Sequence, residues 1–133
     1  PLLQAEAFAP TAIAQHQLLM PPPGSVISST VERYMIANSI QPRAGVIETV
    51  SDAFARGYLR QTDAIWFISE GVVAEDMASG QLALLPAHTE DTLGPVGLTT
   101  RADAVLSLSA QIFITALREI AAGWRVGTLP GSP

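Results

Sequence analysis

Ser25, Ser51 and Ser69 each stand where an apolar run gives way to a helical pattern, in "PPPGSVISS", "ETVSDAF" and "WFISEGV". A serine in that place caps the helix that follows, and the first amides of the helix have no intrahelical partners. Those amides, a hydroxyl beside them and the positive end of the helix dipole suit a carboxylate or another small anion. Gly24 adjoins the first serine, and Thr49 and Val50 lead into the second, so all three are candidate walls of such a site. Serines cap helices in the same way where nothing binds, and spacing alone leaves both readings open. Asp52 favours the dipole of its helix but repels an anion unless it points away or meets a hydroxyl or water. Service to the dipole is the preferred reading for Asp52.

Other chemistries have less support. Ser, His and Asp are all present, but no "GxSxG" elbow occurs and "PPGSVIS" lacks the second glycine, so no catalytic residue is assigned. Glu75 and Asp76 are adjacent, and on a helix they diverge by about 100°, which is not a working carboxylate pair. His16 and His88 have no partner at metal-ligand spacing and read as surface or hinge residues, so neither a metal nor a cofactor is expected. Cysteine is absent, which removes disulfides, thiol nucleophiles and cysteine-based metal centres.

The elements that must position these residues follow from hydrophobic pattern. The chain has 133 residues, 48% of them hydrophobic and 14% charged, the profile of one globular domain. "QLLM" (17–20), "AGVIETV" (44–50), "AIWFI" (64–68) and "QLALLP" (81–86) read as strands. Helical patterns lie between them: from Ser25 to about Ser39 with Ile27, Val31, Tyr34 and Met35 on one face, over 51–61, and from Ser69 to a C-terminal stop at Gly80. Phe54 and Tyr58 are one helical turn apart, which favours a core position for Phe54; Trp66 and Phe67 read as core too. The β-α-β-α-β-α-β order predicts an α/β fold, a mainly parallel sheet between helix layers, with ligands at the carboxyl ends of its strands. After a polar linker, "VGLTTR" reads as a strand. A long helix follows, capped by Ser107 or Ser109 and ended by Gly123, with Leu108, Ile112, Phe113, Ala116, Leu117 and Ile120 along one face.

The net charge is −5, and the seven basic residues are scattered arginines (33, 43, 56, 60, 101, 118, 125), a poor basis for nucleic-acid binding by this chain. No apolar run is long enough to span a membrane, and "PLLQAEAFAP" has no secretory pattern. The chain opens as if in mid-domain and is read as a piece of a longer one.

Four stretches, "PLL" at the start, "LLMPPPGS", "VIETVSDAFARG" and "GPVGLTTRADAVLSLSAQIFITALREI", resemble the C-terminal part of the effector-binding domain of LysR-type transcriptional regulators. The resemblance covers residues 1–122, and "AIWFISEGVVAEDMASGQLALLP" looks like the subgroup that controls aromatic-acid (protocatechuate) catabolic operons. It implies a three-layer lobe like those of type 2 periplasmic binding proteins, with the first lobe incomplete. Residues 1–15 then form a crossover segment, 16–90 the second lobe, 91–122 a return strand and helix of the first lobe, and 123–133 a tail. Gly57 followed by "YLRQTD", where the family often has "GxG", and Ser69 where it often has Pro, are departures near the implied cleft.

The implied function is a cytoplasmic sensor with no enzymatic activity. It binds a small organic or aromatic acid, or a ring-cleavage product, at Gly24, Ser25, Thr49, Val50, Ser51, Asp52 and Ser69. It contacts DNA only through an N-terminal domain outside this chain, works as a homo-oligomer, and exposes the apolar stripe of the last helix when its lobe is missing. A lobe of a periplasmic solute-binding protein, and a solitary enzyme lobe, fit the same sheet pattern.

Overall fold

The computed structural model describes residues 8–94 and 97–125. The chain divides between Leu93 and Gly94 into two compact units.

In the first unit a short 3₁₀ helix, Pro10–Gln15, leads into β1 (Leu18–Met20), α1 (Ser28–Ala37), β2 (Val46–Glu48), α2 (Asp52–Leu59), β3 (Ile65–Trp66) and α3 (Glu70–Ala78), with a further 3₁₀ turn at Glu90–Thr92. The three strands are parallel in the order β2-β1-β3, with Leu18 opposite Val46 and Ile65. The ladder runs one residue further at the carboxyl end: Thr49 N–H donates to the Met20 carbonyl at 3.1 Å and Phe67 N–H to the Leu19 carbonyl at 2.9 Å.

β1 lies in the middle, so its side chains are covered above and below. Right-handed crossovers that leave in opposite directions put α1 and α2 on opposite faces. Leu18 packs with Ile13, Ala14, Val31, Tyr34, Met35 and Ile40 on the α1 side. Leu19 points to the other face and is also 0% exposed, while Ala55 of α2 and Val73 of α3 are buried outside the first cluster. This unit is the expected α/β arrangement, a small parallel sheet with helices.

Two of the expected strands do not form among the described residues. Residues 81–86 form no ladder. The chain leaves α3 through a left-handed glycine, Gly80 at φ 71°, with Gly80 N–H on the Met77 carbonyl and Gln81 N–H on the Asp76 carbonyl. That turn satisfies the last carbonyls of the helix, and Leu85 and Ala87 then pack on the core without strand pairing. "VGLTTR" likewise forms no strand over 97–101, and Val96 lies outside the described residues.

The second unit is built on α4 (Leu108–Arg125). Ser107 Oγ accepts a hydrogen bond from Ala110 N–H at 3.2 Å, the expected cap. Gly123 does not end the helix, which runs on to Arg125; the rest of the expected tail lies outside the described residues. A single glycine costs a helix only about 1 kcal/mol, too little to stop it. Leu108, Ile112, Phe113 and Ile120 are 51–74% exposed, so the predicted apolar stripe faces outward. Among the described residues, no helix is long and apolar enough to cross a membrane.

Candidate functional site

Because the three strands are parallel, the segments that follow them emerge along one edge of the sheet. The chain leaves β1 toward β2, whereas β3 lies on the other side of β1, so the strand order reverses between β1 and β3. In open α/β sheets that reversal opens a crevice at the carboxyl ends. Gly24–Ser25 follows β1 and Ser69 follows β3, on either side of that reversal, and Thr49–Asp52 follows β2, one strand away.

The first of these segments differs from its expected form. Ser25 does not cap α1: the helix begins at Ser28, its N-cap is Ile27, and no side chain caps it. "PPGS" instead makes a tight turn, with Ser25 N–H donating to the Pro22 carbonyl at 3.1 Å and Gly24 at φ 81°. Proline at the second position and a left-handed glycine at the third are what a type II turn requires. The carbonyl of Ser25 then accepts from Ser28 N–H at 3.2 Å and from Ser28 Oγ at 2.9 Å. Ser25 Oγ is buried and meets no hydrogen-bond partner among the described residues. Three prolines in a row favour the turn over a capped helix, because each fixes φ and removes an N–H.

The second segment is as expected. Ser51 is the N-cap of α2, its Oγ accepting from Phe54 N–H at 3.3 Å, and Asp52 stands in the first turn. Thr49 Oγ1 accepts from Ser51 N–H at 3.0 Å, which orients the approach to the helix. Val50 is 81% exposed. Phe54 is not the core residue its spacing suggested: it stacks on Tyr58 with ring centroids 5.7 Å apart yet remains 46% exposed on the first turn. Tyr58 is held in turn through its hydroxyl to Gln17 Oε1. In the third segment Ser69 is the N-cap of α3 by backbone conformation, but its hydroxyl makes no cap bond and stays available at the rim. Phe67 packs against the core, in a tilted pair with Tyr34, while Trp66 is half-buried.

Arg56 was not legible as part of this site. Its Nε donates to Asp76 Oδ2 at 2.8 Å and its Nη2 to the Val72 carbonyl at 2.7 Å, tying α2 to α3, while Nη1 lies 3.7 Å from Asp52 Oδ2. The hydrogen bond that Arg56 donates to Asp76, with the other acidic neighbours, pushes the Arg56 pKa above its ordinary value. The i, i+4 spacing of Asp52 and Arg56 was a usable signal; the link to Asp76, twenty positions on, was not. Tyr34 is buried, its hydroxyl has no partner among the described residues, and burial raises its pKa. His16 Nδ1 lies 2.9 Å from the Asp63 carbonyl, and no group of three metal-ligating side chains occurs among the described residues. A cavity of about 350 Å³ lies at the opposite, amino-terminal edge of the sheet, lined by Thr11, Gln15, Ser39, Gln41 and Arg43 among others.

Comparison with known proteins adds a family. The pattern of the LysR substrate binding domain matches residues 1–122. The chain is 50% identical over 121 residues to the HTH-type transcriptional regulator PcaQ of Agrobacterium fabrum, covering 91% of this chain and 39% of that protein. It is 28% identical over 119 residues to the uncharacterized HTH-type transcriptional regulator YdcI of Escherichia coli K12, covering 90% and 38% respectively. A third relative, the HTH-type transcriptional regulator GbpR of Azospirillum brasilense, is 26% identical over 118 residues, 89% of this chain and 33% of that protein. The chain thus spans about two fifths or less of the length of these relatives. No solved structure matches it.

Proposed function

We propose that this chain, which belongs to the LysR substrate-binding domain family, is the effector-sensing part of a DNA-binding transcriptional regulator. The observation that carries the reading is the family match over residues 1–122 joined to the shared rim, where Gly24–Ser25, Thr49–Asp52 and Ser69 follow three parallel strands. The effector is a small aromatic acid or a ring-cleavage product of one; half identity to PcaQ supports the choice of subgroup. Its carboxylate meets the amides at the start of α2, the Ser51 and Thr49 hydroxyls and the free hydroxyl of Ser69, while Val50 offers apolar wall.

Residues 16–90 form the second lobe of the sensing domain and 91–122 the return segment of a first lobe that is incomplete here. DNA is contacted by a separate N-terminal domain, in a homo-oligomer. The mechanism is a population shift: an effector held between lobes favours one arrangement of them, by no more than its difference in affinity for the two arrangements. No bond is made or broken in that cycle.

The test is calorimetric titration of the intact protein with benzoate, 3,4-dihydroxybenzoate and cis,cis-muconate. Saturable binding of at least one acid is expected. Replacing Thr49 and Ser51 together by Val and Ala weakens it by about tenfold, the worth of one hydrogen bond to a charged group. Failure of all three acids to bind, or a secretion signal in place of a helix-turn-helix upstream of this chain, overturns the reading.

A further inference from the structure

The cavity at the amino-terminal edge of the sheet has two walls, each anchored in the core. One is the 3₁₀ helix Pro10–Gln15, which buries Ile13 and Ala14 and lines the cavity with Thr11 and Gln15. The other is the segment after α1, which buries Ile40 and lines the cavity with Ser39, Gln41 and Arg43. Arg43 N–H donates to the Ala14 carbonyl at 3.0 Å, which ties the two walls together. α1 closes with Ser39 N–H on the Ile36 carbonyl at 3.1 Å and Ile40 N–H on the Met35 carbonyl at 2.9 Å. Such a closure holds the residue just past the cap in the left-handed region, where glycine is usual. Here that residue is Ser39, at φ 53°. The backbone therefore carries strain that a glycine would relieve, at a position that lines a cavity.

Among the described residues the lining brings together two hydroxyls, two carboxamides and one guanidinium, with no carboxylate. None of these five side chains has a hydrogen bond or ion pair among the described residues. Arg43 differs in this from Arg33, Arg56 and Arg60, which are bonded to Thr30, Asp76 and Gln81. The apolar lining is Ala12 and Ala14, without an aromatic ring or a branched side chain. A guanidinium offers a fork to a carboxylate or a phosphate. Hydroxyls and carboxamides both donate and accept, as the hydroxyls of a polyol require. At about 350 Å³ the space is of small-molecule size. We propose that this cavity is a second ligand site, for a small hydroxylated anion: a polyol carrying one carboxylate or phosphate group. Arg43 takes the charged group, and Thr11, Gln15, Ser39 and Gln41 take the hydroxyls. The aromatic acids assigned to the rim find no apolar wall here. The cavity lies at the other ends of the strands from the rim, so this site does not depend on the sensing role proposed above.

The experiment is calorimetric titration of the intact protein with gluconate, glucose 6-phosphate and glucose, with benzoate as competitor. Saturable binding of gluconate or glucose 6-phosphate is expected, and which of them binds decides between carboxylate and phosphate. Glucose, which has no charge, binds at least about tenfold more weakly, the worth of a hydrogen bond to a charged group. Arg43→Gln weakens the bound anion by about tenfold or more. The bond to Ala14 comes from the backbone, which glutamine keeps, so the wall stays in place. Arg33→Gln removes the same charge from an exposed position outside the cavity and changes affinity by less than about twofold. Ser39→Gly weakens the anion by about threefold to tenfold without lowering the melting temperature, because a hydroxyl is lost while the backbone strain is relieved. Benzoate does not displace the anion. Absence of binding by both anions, glucose binding as tightly as they do, or displacement by benzoate each overturn the proposal. So does Arg33→Gln costing as much as Arg43→Gln, or Ser39→Gly with no loss of affinity. Each of these outcomes leaves the sensing role of the rim standing.

Discussion

The α/β unit before Leu93 and the helical unit after it are both about half apolar, yet they handle their apolar residues in opposite ways. In the first, Leu18 and Leu19 are neighbours in one strand and both are fully buried, because a central parallel strand has a layer on each face. In the second, α4 carries an apolar stripe that stays exposed at Leu108, Ile112, Phe113 and Ile120. The helix forms all the same, since its hydrogen bonds are internal and Ser107 caps its start. A strand has no such independence, because every ladder bond belongs to a neighbour. "VGLTTR" has strand composition but forms no strand over 97–101.

The contrast predicts unequal costs for similar truncations. Leu18→Ala, in the fully buried strand, destabilises the protein by about 2–5 kcal/mol in denaturant unfolding. Ile112→Ala, on the exposed stripe, changes stability by less than about 0.5 kcal/mol. Equal effects would mean that the stripe is a core surface.

A smaller effect separates two serines that look alike in sequence. Ser51 makes a cap bond to Phe54 N–H, so Ser51→Ala costs about 1 kcal/mol. Ser69 makes no such bond, and Ser69→Ala is close to neutral for folding, so the two substitutions differ by about 1 kcal/mol in denaturant unfolding.

The smallest effect is a pH dependence. Burial raises the Tyr34 pKa in the folded protein, so its neutral hydroxyl adds no pH-dependent loss below the unfolded value of about 10. Above that the unfolded chain gives up its proton first and stability falls as pH rises. Tyr34→Phe removes that part of the decline and leaves stability at neutral pH little changed, since the hydroxyl has no partner among the described residues to lose. An identical alkaline decline in the Phe variant would contradict it.

The same division between local and distant causes decides what could be read from the residues. The helix over 51–61, its Ser51 cap and the Gly80 stop are local features, and all are present. "PPPGS" was mistaken for a helix start because Ser25 looks like a cap, whereas consecutive prolines and a left-handed Gly24 make a turn three residues earlier. "QLALLP" has strand composition, but no ladder receives it and its leucines serve the core in another way. Phe54 shares a helix face with Tyr58 as expected, but which face is buried depends on the packing of the sheet, and half of the ring stays in solvent. The grouping of Gly24, Ser25, Thr49, Val50, Ser51, Asp52 and Ser69 on one edge followed from reading the strands as parallel. Arg56 did not, because its partners on α3 come from the tertiary fold.

Backbone hydrogen exchange of the intact protein, with and without the tightest-binding acid of the panel, tests the central claim most directly. Slowed exchange confined to the segments around Gly24–Ser25, Val50–Phe54 and Ser69–Val72 is the predicted result. Protection instead at the opposite edge, around Thr11–Gln15 and Ser39–Arg43, would place the receptor in the cavity there and contradict the account.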